Sequence, residues 1–177
     1  MARIFSAAFL ACLLVSAGAV IGCGYHPVGS PAHLPNTVHT VAVPVFQNTT
    51  QSYHTEVTFT QAVIREFSSR TPYKLVAGND PDADATLDGT ITGFLVTPLT
   101  YNSQTGQSSS FLITIRARVK LVDHNGNALY QNPSYLFRQQ YETTEDLASF
   151  IQEDNPAVQR LASDFARSVV SDILESF

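Results

Sequence analysis

Arg116, Arg118 and Lys120 stand two residues apart in "FLITIRARVKLV", and they are the one charged constellation in this 177-residue chain. Side chains two apart on a strand project from the same face, so all three oppose the face that carries Ile113, Ile115, Ala117, Val119 and Leu121. A cationic ridge on a flat sheet can engage phosphate or carboxylate groups, arginine through forked hydrogen bonds and lysine as a point charge. The competing reading is a solvated sheet face whose charges deter aggregation. Elsewhere the reactive residue types fail to converge. The histidines (His26, His33, His39, His54, His124) are scattered, and three of the five precede or open the first expected strand. There is no His-Glu-x-x-His, no phosphate-cradling glycine loop and no nucleophile elbow. "DPDAD", Asp80 to Asp84, lacks the spacing and terminal glutamate of a calcium loop, and a solvated turn with Asp84 as a cap is its plainer reading. We therefore expect no catalytic residues, no metal and no cofactor, and not an enzyme.

One cysteine has a different chemistry. Arg3 is followed by an uncharged stretch from Ile4 to Gly22, with the apolar core "FLACLLVSAGAV", ending at Cys23. One basic residue, an apolar segment and small residues before a cut form the layout of a secretory signal. Val20-Ile21-Gly22-Cys23 resembles the lipobox of bacterial lipoproteins. That resemblance implies diacylglycerol on the Cys23 thiol, cleavage before Cys23, and acylation of the new amino group. The alternative is an uncleaved transmembrane anchor, since the run is close to spanning length. Each buried methylene contributes about 0.8 kcal/mol, so two or more acyl chains hold stably. Gly24, where an aspartate would signal inner-membrane retention, favours the outer membrane.

Cleavage would leave 155 residues, enough for one domain with a sizeable core, with 9 basic against 15 acidic residues and no remaining free thiol. The acidic balance argues against nucleic acid as a partner. The expected organisation is a signal peptide over 1–22, a lipidated tether over 23–36 rich in proline and glycine, and a single domain over 37–177.

Within that domain, Thr37 to Phe46 reads as a strand with Val41, Val43 and Val45 on one face and Pro44 at an edge or strand end. Phe59, Ala62, Val63 and Phe67 recur at helical spacing within Tyr53 to Arg70, stopped by Thr71-Pro72. "YKLVA" is a short strand and "GNDPDAD" a loop. Ala85 to Leu99 and Phe111 to Val122 are strands, with Gly89 and Gly93 as bulges or points of close approach. Between them, "TYNSQTGQSSS" is a polar loop. Asn125-Gly126 favours the left-handed dihedrals of a tight hairpin, and Ala128 to Tyr141 returns with a bend or edge at Pro133. At the C-terminus, Thr143 or Thr144 would cap a short helix through Ile151. Asn155-Pro156 would start a second one, with Val158, Leu161, Ala162, Phe165, Val169 and Ile173 as its stripe. Two amphipathic helices need a shared apolar surface, so the expected fold is α+β. It is a two-layer α/β sandwich, two main helices on one face of a small mixed sheet of about four strands.

Taken in order, "CGYHPVG", "LPNTVHTVAVPVFQNTT", "TEVTFTQAVIREFSSRTPYKLV" and "DADATLDGTITGF" resemble the lipopolysaccharide-assembly lipoproteins (LptE-like) over roughly Cys23 to Phe94. The resemblance implies an outer-membrane lipoprotein on the periplasmic side with two helices on a small sheet. It would sit in the lumen of the LptD β-barrel translocon, help assemble it, and contact lipopolysaccharide. Its partners would be an LptD-like barrel, lipopolysaccharide and the membrane through the lipid on Cys23. Arg116, Arg118 and Lys120 then become candidates for lipid A or core phosphates. Two other classes stay open: a lipoprotein accessory of a secretion pore, and a membrane-tethered periplasmic ligand-binding domain.

Overall fold

A computed structural model describes residues 34–101, 108–142 and 147–177. The expected signal peptide, Cys23, most of the tether and the Thr143 or Thr144 cap lie outside the described residues. The core begins three residues before the expected strand, because Leu34 is buried, as is Val38.

In chain order the elements are β1 (Thr40–Val43), β2 (Gln47–Asn48), α1 (Thr55–Arg70), β3 (Lys74–Ala77), β4 (Ala85–Tyr101), β5 (Ser108–Asp123), β6 (Ala128–Glu142) and α2 (Leu147–Glu175). They form an α+β fold whose sheet has six strands rather than about four, in the order β3-β1-β4-β5-β6, with β2 attached to β4. β1 runs parallel to β3 and β4, β2 runs parallel to β4, and β4-β5-β6 is an antiparallel meander. Counting the short "YKLVA" stretch, the sequence offers five strands, and splitting the first of them makes six. Pro44 cannot donate to the ladder and ends β1, and three residues later the chain pairs again, at Gln47 with Thr90 and Asn48 with Ile91. The split turns Val45 out to 59% exposure, against the expectation that it shares the buried face of Val41 and Val43. Phe46 takes the core position instead.

α1 starts two residues later than its periodicity predicts. His54 takes a left-handed conformation, φ 63°, and makes a turn that precedes the helix. The loop before it is closed by Asn48, whose amide donates to Ser52 O and Glu56 Oε2, both at 2.7 Å, while its Oδ1 accepts from Thr50 N. Phe59, Ala62, Val63 and Phe67 are buried as the spacing predicts. Thr60 is buried with them. Its hydroxyl donates to Glu56 O and accepts the Phe46 N–H at 2.9 Å, which fixes the β1–β2 link against the helix.

The C-terminal segment is one helix, not two. α2 runs through Pro156, where the missing N–H removes a single helical bond and the apolar stripe beyond it carries the packing. Leu161, Ala162, Phe165, Val169 and Ile173 are buried, and Val158 is half-buried. Phe165 is the centre of the core, with ring centroids 5.2 Å from Phe59, 5.5 Å from Tyr135, 5.7 Å from Phe137 and 6.3 Å from Phe46. One residue thus joins both helices to the sheet. Such aromatic pairs contribute roughly 0.5–1.5 kcal/mol each beyond area burial. Tyr135 also donates to Asp172 Oδ2 at 2.7 Å, tying β6 to the end of α2.

Where the strands meet, glycine and proline act as expected, with one exception. Gly89 sits under Phe46, and the ladder shifts register between Ile91 and Gly93. β6 is an edge strand and bulges around Pro133, opposite Ala117 to Val119 of β5. In the β5–β6 hairpin only Gly126 has positive φ, at 85°; Asn125 does not. The turn is held instead by Asp123, whose carboxylate accepts Asn125 N, Asn127 N and the Asn127 side-chain amide. That removes the need for a left-handed asparagine.

Candidate functional site

β5 lies between β4 and β6, so its two faces have opposite fates. Ile113, Ile115, Ala117, Val119 and Leu121 point at the helices and are buried; Arg116, Arg118 and Lys120 are exposed on the other face, which neither helix covers. The spacing places the ridge as expected. What spacing cannot give is the row of neighbours. Lys120 stands between Asp88 and Gln131, Arg118 opposite Thr90, Arg116 between Gly93 and Leu136, and Thr114 between Leu95 and Arg138.

Those neighbours divide the ridge. Lys120 Nζ lies 3.2 Å from Asp88 Oδ2, so its charge is already answered. Arg116 and Arg118 form no ion pair among the described residues. Arg116 lies along Gly93, where an added Cβ would be 3.4 Å from the arginine Cβ and 3.7 Å from its Cδ. The glycine thus leaves room for the arginine stem on the sheet surface. Beside Arg118 and Lys120 the β6 bulge opens a cavity of about 220 Å³, lined also by Asp88, Thr90, Gln131 and Asn132. Next to Arg116 and Thr114 the surface becomes apolar, with Leu136 45% and Leu95 61% exposed.

Two members of this face escaped sequence reasoning. Arg138 joins it because it pairs in register with Thr114, and Asp88 because it pairs with Lys120. The bulge at Pro133 breaks the alternation of β6, so the face of Arg138 could not be counted from the sequence. Guanidinium groups with no ion pair among the described residues, standing beside exposed leucines, suit a ligand with phosphate or carboxylate at one end and apolar chains at the other.

Other candidates resolve into structure. Asp84 accepts His39 N at 2.9 Å and Thr40 N at 2.8 Å through Oδ2. These backbone bonds hold its carboxyl below the ordinary range, the His39 bond most of all. It therefore clamps the start of β1, and Asp80 Oδ1 accepts Asp82 N within the same loop. Among the described residues no group of three or more His, Cys, Asp or Glu could hold a metal ion, and no helix is long and apolar enough to cross a membrane. His26 and His33 lie outside the described residues.

In solved structures, the fold is similar to protein XCC0632 from Xanthomonas campestris, of the DUF330 family, with TM-score 0.57 and 15% identity over 81% of this chain and 88% of that one. A Caulobacter crescentus protein classed as a candidate lipoprotein matches with TM-score 0.52 and 13% identity, over 78% of this chain and 88% of its own. At such identities the likeness is one of fold alone. No curated protein matches the chain. The sequence profile of the lipopolysaccharide-assembly family LptE matches residues 38–173, from just before β1 to within the last turn of α2. With two helices on a mixed sheet and this match over most of its length, the chain belongs to the lipopolysaccharide-assembly family LptE.

Proposed function

We propose that this chain is an outer-membrane lipoprotein, held by lipid on Cys23, that plugs and helps assemble an LptD-like β-barrel and assists lipopolysaccharide into the outer leaflet. Its role is non-catalytic, in keeping with the family. Arg116 and Arg118 take phosphate groups of lipid A or core, with Lys120 as a third cation, while Leu95 and Leu136 lie where acyl chains would pass.

The observation that carries this reading is the uncovered outer sheet face. Two arginines without an acidic partner among the described residues stand there beside exposed leucines, in a protein of net charge −5. Two measurements test it. Solubilised membranes should yield a stable complex with one large β-barrel protein, and recovery as a lone monomer counts against the plug. Reversing Arg116, Arg118 and Lys120 to Glu should weaken lipopolysaccharide binding with the fold intact; unchanged binding returns the ridge to an ordinary solvated face. For the anchor, Cys23→Ser should leave unprocessed precursor, and normal processing would end that claim.

A further inference from the structure

The bulge in β6 does more to the outer sheet face than bend its edge. The ladder passes from Ala117 opposite Tyr135 directly to Val119 opposite Asn132, so Pro133 and Ser134 both stand where a single residue would face Arg118. Two residues against one bend the bulged strand. Asn132 fixes the bend, because its Oδ1 accepts Ser134 N at 3.0 Å. The cavity of about 220 Å³ beside Arg118 and Lys120 lies at this point. Its wall also holds polar groups that a phosphate alone would leave idle. Thr90 is only 8% exposed and lines the cavity, and its hydroxyl makes no hydrogen bond among the described residues. The same holds for the side-chain amide of Gln131, which stands in register with Lys120. Asn132, with its oxygen engaged by Ser134, keeps its amide hydrogens as donors.

These groups restrict the ligand. Arg118 and Lys120 stand against one carboxylate, Asp88, which pairs with the lysine, so the guanidinium is left to grip an anion by its forked hydrogen bonds. Amides and hydroxyls both donate and accept, and alcohol groups, which do the same, match them better than a second anion would. The cavity has the volume of about seven water molecules, more than a phosphate group alone would fill. It is also smaller than the roughly 300 Å³ at which pockets for larger organic ligands begin. Acyl chains have no place in it. The exposed leucines lie farther along β5, Leu136 opposite Arg116 and Leu95 opposite Thr114, about 7 and 14 Å from Arg118 at the rise of a strand.

We propose that the β6 bulge forms a subsite for one phosphorylated sugar, in which Arg118 takes the phosphate while Thr90, Gln131 and Asn132 take ring hydroxyls. The sugar phosphate is thereby recognised through its polar head alone, independently of any acyl chain. This inference rests on the ligand half of the proposed function, not on the barrel, and it makes the bulge the element that separates a sugar phosphate from other anions.

The test titrates the full chain in detergent with four probes. They are the deacylated, phosphorylated glucosamine disaccharide of lipid A, the same disaccharide without phosphate, glucose 6-phosphate, and inorganic phosphate. The phosphorylated disaccharide should bind and displace lipopolysaccharide. The dephosphorylated form and inorganic phosphate should each bind about tenfold more weakly, the scale of one lost charge-assisted hydrogen bond. Glucose 6-phosphate binding as tightly as the disaccharide supports the subsite and assigns it to soluble sugar phosphates; weaker binding assigns it to lipid A. Inorganic phosphate binding as tightly as the sugar phosphates overturns the proposal, since the site then reads charge alone. Intact lipopolysaccharide that binds while no unacylated sugar phosphate does also overturns it, and leaves lipopolysaccharide as the ligand of the ridge. Absence of binding by either overturns both. As a second measurement, Gln131→Leu and Thr90→Val should each weaken binding of the phosphorylated disaccharide about tenfold and narrow its advantage over inorganic phosphate. Gln131 is exposed, so thermal unfolding of its variant should stay unchanged. Undiminished binding by both variants contradicts the proposal.

Discussion

Gly89 lies directly beneath the ring of Phe46, where a Cβ would fall 2.5 Å from Cδ2 and Cε2 of that ring and 2.6 Å from Cγ. Phe46 is buried and packs edge-on against Phe165, so it has little room to retreat. Gly89→Ala should therefore destabilise the domain by about 1–3 kcal/mol, the usual cost of overpacking. Gly93→Ala meets Arg116 at ordinary contact distance on the open face and should cost less. Denaturant unfolding of the two variants compares them, and equal effects would show that Phe46 yields freely.

Thr60 holds the Phe46 N–H from within α1, in a buried setting. Thr60→Val keeps the shape and removes the acceptor, leaving a buried donor unsatisfied. The expected loss is about 1–3 kcal/mol. Thr60→Ser keeps the hydroxyl and should recover most of it. Equal destabilisation by both would point to the methyl group rather than to the hydrogen bond.

Stability should fall at both ends of the pH scale for separate reasons. Asp84 is held below the ordinary carboxylate range by the His39 and Thr40 N–H groups, and Asp123 is lowered chiefly by the Asn127 side chain. The unfolded chain takes up these protons first, so their contribution is present above about pH 4 and is lost as pH falls. Tyr135 moves the other way. Burial pushes its phenol up, and the hydrogen bonds with Tyr130 and Asp172 add to the shift. Its contribution is intact below about pH 10 and is lost above it, at up to about 1.4 kcal/mol per pH unit. Thermal unfolding against pH should show a flatter acid limb for Asp84→Asn and a flatter alkaline limb for Tyr135→Phe. Limbs unchanged from the parent would exclude these groups as the source.

The ridge should not act as three equal cations. Lys120 is paired with Asp88 at 3.2 Å, while Arg118 has no ion pair among the described residues. Arg118→Ala should weaken lipopolysaccharide binding by about tenfold, the scale of one charge-assisted hydrogen bond. Lys120→Ala should cost clearly less, and Asp88→Asn should tighten binding by freeing the lysine. Titrations at low salt would resolve the order, and a Lys120 effect larger than that of Arg118 would reverse this assignment.

Much of this was legible because it is local. The buried stripes of α1 and α2 and the alternation of β5 follow from periodicity, which records which face of an element meets the core. The face of the ridge follows from that alternation alone. β2 was not legible, because its two residues carry no pattern of their own and exist as a strand only through pairing with Thr90 and Ile91. Nor was the unbroken course of α2 through Pro156, since Asn155-Pro156 is a local start signal that tertiary packing overrides.

The residues by themselves therefore determined two amphipathic helices, an alternating central strand and a row of three cations on one of its faces. Tertiary structure decided which of those cations has an acidic neighbour among the described residues, and that Arg138 joins them. The division has a physical cause. Alternation and helical period are set within a few residues of chain, whereas strand register, bulges and free edges depend on partners tens of residues away.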